Sequence, residues 1–76
     1  MKDLIKYIVR ALVDHPEQIE ISETTGKQVT ILELKVAKAD MGKIIGKQGR
    51  NARALQVIVG AASAKVKKRT ILEIIE

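Results

Sequence analysis

The chain has 76 residues, a formal net charge of +5, no cysteine, one histidine and a single aromatic residue, Tyr7. That length allows one domain, residues 1–76, with a thin core, since a chain this size buries roughly 60% of the surface its unfolded form exposes. Disulfides, thiolate metal sites and cysteine catalysis are excluded. The N-terminal stretch MKDLIKYIVRALVDH is charged throughout and reads as mature protein, not as a signal peptide. No apolar run approaches the ~20 residues that span a bilayer, so a soluble, cytoplasmic protein is expected.

Residues 2–14 place Leu4, Ile5, Ile8, Val9 and Leu12 at helical spacing, with Lys2, Lys6, Arg10 and Asp14 opposite. His15-Pro16 should end this amphipathic helix, because proline disfavours helical geometry in the residue before it. His15 itself reads as a surface turn residue. In residues 18–23, Ile19 and Ile21 alternate with polar neighbours as in a short strand. Residues 24–27 form a turn in which Gly26 is free to take positive φ. Residues 28–37 make a second strand, with Thr30, Leu32, Leu34 and Val36 on one face and Val29 and Ile31 on the other.

Asp40 reads as the N-cap of a short helix that Gly46 interrupts. A longer helix runs from Arg50 to about Lys67, with a buried stripe of Leu55, Ile58, Val59, Ala62 and Val66 and close packing expected at Gly60. Residues 70–76, TILEIIE, are a β-branched final strand. The order is α-β-β-α-α-β. A hairpin followed by a right-handed crossover gives a three-stranded mixed α+β sheet with the second strand central and helices on one face.

Charge is unevenly placed. Residues 35–69 hold ten Lys or Arg and one acid, Asp40, for a net +9, while residues 1–34 and the tail carry −2 each. Such a concentration points to a polyanion partner at a defined place. At its centre lies IIGKQGRN, residues 44–51. Glycines let a phosphate approach bare backbone, the following helix start favours anions, and Lys43, Lys47 and Arg50 add cations. A Walker loop is ruled out: the Gly42–Gly46 spacing is one residue short and Gln48 stands where Ser or Thr would hold magnesium. The dinucleotide fingerprint GxGxxG also fails on spacing.

What remains, I-I-G-x-x-G between two helices inside a β-α-α-β unit, resembles the KH domain family. The preceding helix and hairpin resemble its type II arrangement, and MGKIIGKQGRNARAL resembles the small bacterial KH-only RNA-binding proteins of the KhpA type. The resemblance covers the whole chain. It implies a GxxG loop that clamps about four nucleotides of a single strand, with Gly46, Lys47, Gln48 and Gly49 at the phosphates and Lys43, Arg50 and Arg53 in support. Ile44 and Ile45 lie where the family lines its base groove, with the second strand, including Ile31, as its other wall, although from the residues alone at least one of the pair reads as ordinary core. The pattern departs at Ala52, where many KH domains carry a larger aliphatic residue.

The resemblance further implies an RNA chaperone of small RNAs and mRNAs, links to cell shape, and a homodimer or a heterodimer with a second KH-containing RNA-binding protein. Val57, Gly60, Ala61 and Ala64 form a small-residue face that serves either internal packing or such a dimer. Lys65, Lys67, Lys68 and Arg69 read as a solvated helix end or an auxiliary RNA surface. A protein-interaction scaffold and a single-stranded DNA binder remain as alternatives. A helix-turn-helix does not suit flanking strands. The lack of Phe and Trp argues against an aromatic stacking platform. With one histidine and two serines, Ser22 and Ser63, there is almost no nucleophile–base pair, so no enzyme, metal site or cofactor is expected.

Overall fold

A computed structural model describes residues 1–65 and 67–75. Helix α1 (Lys2–Leu12) leads through a one-turn 3-10 segment (Pro16–Gln18) to strands β1 (Glu20–Thr25) and β2 (Val29–Lys35). A second 3-10 turn (Lys38–Asp40) precedes helix α2 (Met41–Ile45), and a third (Lys47–Gly49) joins it to α3 (Arg50–Lys65) and β3 (Arg69–Ile75). The sheet order is β1-β2-β3, antiparallel then parallel, so the central second strand and the crossover are as expected.

One sheet face carries the core. Leu32, Leu34 and Leu72 are buried with Ile5 and Val9 of α1, Ile44 of α2, and Leu55 and Val59 of α3. Because side chains alternate along a strand, Val29, Ile31 and Glu33 point the other way. In β3 the in-register partners Arg69, Ile71 and Glu73 share that face. Ile31 therefore lies on the side away from the helices and walls no groove shared with Ile45, contrary to the sequence expectation.

The first helix stops two residues early for a definite reason. In a continued helix the N–H groups of Asp14 and His15 would donate to the carbonyls four residues back. Instead they donate to Asp40 Oδ1 and Oδ2 at 3.1 and 3.0 Å, and His15 Nδ1 lies 3.2 Å from Oδ2. Asp40 is 1% exposed, and its side chain makes no cap bond to α2. The expected local cap is thus a tertiary one that ties the α1 exit to the α2 entrance. His15 is the turn residue expected, its side chain 44% exposed, but its ring is engaged with Asp40. Alongside, Lys43 Nζ pairs with the Asp14 carboxylate, a second link between the same two elements.

Other departures are smaller. β1 starts at Glu20 because Pro16 sets a 3-10 turn through Gln18. Gly26 does not take positive φ. Its N–H donates to the Val29 carbonyl at 2.8 Å, and that same oxygen would sit 3.1 Å from an added Cβ. On α3 the buried positions are Leu55, Val59 and Ser63. Ile58 is 36% exposed, Ala62 is half-buried, and Val66 lies outside the described residues. Ser63 is tolerated inside because its hydroxyl donates to the Gly60 carbonyl at 3.0 Å. Gly60 faces open space, so no close packing accounts for it. Among the described residues no buried side-chain polar atom lacks a partner.

Burial works to raise the Asp40 pKa, but the Asp14 and His15 N–H groups and the His15 ring together outweigh it and hold it below its ordinary value. A carboxyl depressed in the folded state stabilises fully above its unfolded pKa, and that stabilisation is lost as pH falls through the folded value. The thermal midpoint of the protein should therefore drop steeply in acid below about pH 4, the unfolded carboxylate value. Asp40→Asn should lower the midpoint at neutral pH and flatten that acid limb. Thermal melts from pH 7 to pH 2 read both, and parallel curves for the two proteins would show that Asp40 is not the group responsible.

Candidate nucleic-acid interface

The site is the junction between α2 and α3. Gly46 closes α2: its N–H donates to the Gly42 carbonyl at 2.8 Å, and its backbone takes φ 75° and ψ 171°. That value lies in the left-handed region, where a side chain is strained. Space forbids one as well. A Cβ on Gly46 would stand 2.7 Å from Asn51 Cγ and 2.8 Å from Asn51 N. Gly49 also sits at φ 75° but faces open space. Between them Gln48 is left-handed too, at φ 58° and ψ 26°. Three positive-φ residues within four positions turn the chain sharply from one helix into the next.

Two side chains hold this turn. Asn51 Nδ2 donates to the Lys43 carbonyl at 2.8 Å, satisfying one of the orphan oxygens at the end of α2. Arg53 Nη2 donates to the Gln48 carbonyl at 3.1 Å. Asn51 was not singled out from sequence, although it is the group that Gly46 must accommodate. The pairing spans a turn whose shape no local pattern displays. Arg53, expected as a phosphate support, is in part a brace for the loop.

Inside the turn, the N–H groups of Gly49 and Arg50 donate to the carbonyls of Gly46 and Lys47. Among the described residues, those of Lys47 and Gln48 make no backbone bond. Lys47, Gln48 and Arg50 are exposed, and neither described ion pair involves Lys47 or Arg50. Lys43 is different: the hydrogen bond it donates to Asp14 raises its pKa and holds the ammonium against that carboxylate. The neighbouring isoleucines divide. Ile44 is fully buried in the core, whereas Ile45 is 39% exposed beside the loop. Consecutive helical positions differ by about 100° around the axis, so only one of the two can face inward. Ile44 is thus the member of the pair that belongs to the core, as expected of at least one of them, and Ile45 is the one left at the surface.

Chemically, the arrangement offers bare amides, two unneutralised cations and one aliphatic surface. That set is chemically complementary to an anionic, partly apolar chain. Among the described residues there is no cluster of three His, Cys, Asp or Glu able to hold a metal ion, and no helix is long and apolar enough to cross a membrane.

Comparison with known proteins speaks for the family and the fold. A protein of Clostridium acetobutylicum described as RNA-binding protein KhpA is 53% identical over 99% of this chain and 100% of its own. One of the same description from Caldanaerobacter subterraneus is 56% identical over 99% and 100%. Among solved structures, a variant of Era from Aquifex aeolicus crystallised with a GDP complex matches with a TM-score of 0.67. Identity there is 16%, covering 96% of this chain and 28% of that one, so it speaks for the fold alone. The family profile described as KhpA/KhpB, KH domain matches residues 2–74. This chain belongs to the KhpA/KhpB KH-domain family.

Proposed function

We propose that the protein is a non-catalytic, cytoplasmic RNA-binding protein, one KH domain over residues 1–76, that grips single-stranded RNA by its backbone at Gly46–Gly49. Small RNAs and mRNAs are its ligands, and a grip that reads few bases suits an RNA chaperone. The observation that carries this reading is the turn itself, in which unbonded amides of Lys47 and Gln48 lie beside the exposed cations of Lys47 and Arg50. The amides and cations take phosphate oxygens, and Ile45 meets a base by aliphatic contact. Arg53 and Asn51 act through loop shape. The relatives described as RNA-binding support the ligand class.

A second copy of the domain is the proposed partner, in homodimers or with another KH-containing RNA-binding protein, because two weak sites on one RNA gain avidity without new contacts. Val57, 67% exposed, and Ile58 beside it give α3 an apolar outer face next to Ala61. Val57→Glu should shift the protein toward monomer in light scattering at high concentration. An unchanged mass would remove that helix from the interface.

Two further outcomes test the clamp. Lys47→Asp with Gln48→Asp changes only exposed side chains, and Asp tolerates the left-handed backbone at position 48. RNA affinity should fall at least about tenfold by anisotropy at constant salt, in line with lost charge-assisted bonds to phosphate, while the circular dichroism stays that of the parent. A folded variant with parental affinity overturns the assignment. If single-stranded DNA of the same sequence binds equally, the ligand is the strand and not the ribose.

The glycines separate loop shape from charge. Gly46→Ala meets both strain and the Asn51 contact and should lower unfolding stability by about 1–3 kcal/mol. Gly49→Ala meets strain only and should cost about 1 kcal/mol. Urea titrations rank the two, and a reversed order would contradict the close approach at Gly46.

A further inference from the structure

A second concentration of positive charge lies at the far end of α3 from the loop. The Arg69 N–H donates to the Gln28 carbonyl at 3.3 Å, which sets the β1–β2 turn, with Lys27, beside the start of β3. Lys65 and Lys68 line one groove together with Met1, Thr25 and Thr70. Lys27, Lys65, Lys67, Lys68 and Arg69 thus share one pole of the molecule. Neither described ion pair involves any of them, and Glu23 is the one acid lining that groove. Like charges so placed repel, and a helix C-terminus favours cations by only part of a charge.

The backbone adds an independent sign. Lys67 N–H donates to the Ala64 carbonyl at 3.4 Å and Lys68 N–H to the Ser63 carbonyl at 3.3 Å, with Lys67 at φ 55°. This is the two-bond Schellman closure, whose left-handed position glycine strongly favours. Here that position is a lysine. The turn keeps a cation where a residue without a side chain would sit more comfortably, so fold stability does not explain the choice.

We propose that this pole is a second phosphate station for the same RNA strand, extending the grip of the loop; the inference rests on the clamp reading above. Helix α3 spans Arg50–Lys65, so the two stations are about 22 Å apart at 1.5 Å per residue, within the 35 Å long axis of the molecule. At about 3.4 Å per stacked nucleotide, that gap corresponds to six or seven nucleotides. No acid occurs in α3, so nothing on the helix between the stations repels a polyanion. The ligand of the intact surface is a single strand of about ten nucleotides or more, beyond the four that a GxxG loop clamps.

The test compares RNA strands of about four and about twelve nucleotides, both of mixed sequence, by anisotropy across a salt series. A variant carrying Lys67→Gly, Lys68→Gln and Arg69→Gln should bind the longer strand about tenfold more weakly. Its slope of log affinity on log salt should be smaller by about 2, from three lost contacts at ~0.7 each. The short strand should be held as before. Lys67→Gly alone should keep or raise the thermal midpoint while weakening the longer strand. Lys6→Gln, Arg10→Gln and Lys35→Gln remove the same charge elsewhere and should leave both strands within about twofold. Equal loss on both lengths, no loss on the longer one, or the same loss from the control triple overturns the second station. If Lys47→Asp with Gln48→Asp leaves the short strand bound, the clamp itself fails, and the extension falls with it.

Discussion

The geometry of the molecule depends on one buried carboxylate. Asp40 takes the N–H groups of Asp14 and His15 and the His15 ring, and in doing so it fixes where α1 stops and where α2 begins. An unpaired charge at 1% exposure would be strongly unfavourable, so the junction closes only in the arrangement that supplies all three partners. That arrangement leaves α2 a single direction to run. With five residues, α2 has too little length to hold itself as a helix in isolation, and it is anchored at its start by this contact and along its body by Lys43 to Asp14. Ile44 then fills the core and Ile45 emerges beside the loop. The exposed residues of the loop are thus positioned from a point at the far end of α2.

Downstream of that anchor the constraint becomes steric. Gly46 and Asn51 approach so closely that no Cβ fits, and Asn51 in turn satisfies the last turn of α2 through the Lys43 carbonyl. The reversal between helices is therefore over-determined by packing, hydrogen bonding and backbone conformation together. Rigidity of this sort matters for binding because an ordered loop loses little further entropy when it takes a phosphate. The same feature accounts for Arg53, whose bond to the Gln48 carbonyl steadies the left-handed residue at the tip.

Much of this was legible in the sequence, and the exceptions have one cause. Element order, sheet topology and the glycine turn followed from periodicity, β-branching and residue spacing, all of which are local. The misplaced items depended on partners distant in the chain. Asp40 reads as a local cap because Asp before a short helix usually is one, and nothing near it announces the N–H groups of residues 14 and 15. The contact of His15 with Asp40 was hidden for the same reason, although its place in a surface turn was not. The split between Ile44 and Ile45 needed the orientation of α2, and the stripe on α3 moved from Ile58 to Ser63 because helix-to-sheet packing, not hydropathy, selects which face turns inward. Val66 and Glu76, part of the expected last helix and strand, lie outside the described residues.

The distribution of acids sets the two faces of the molecule apart as firmly as the cations do. A three-stranded sheet open on one side is the surface on which other single-strand binders stack bases, and here that side carries Val29, Ile31 and Ile71 among charged neighbours. It has no aromatic ring to stack on, and Glu33 and Glu73 stand opposite each other in register across β2 and β3. Like charges side by side on a sheet are unfavourable in themselves, and to a phosphate backbone they present a repulsive band. On the helical side α3 has no acid along its length, and the loop and the β3 turn supply cations at its two ends. The repulsive band is confined to the middle of the sheet, since Arg69 and Lys35 lie towards its two ends on the same face, whereas α3 sets no acid against a polyanion anywhere along its length. The sheet supplies the core, and the helix junction is left to carry the exposed cations Lys47 and Arg50.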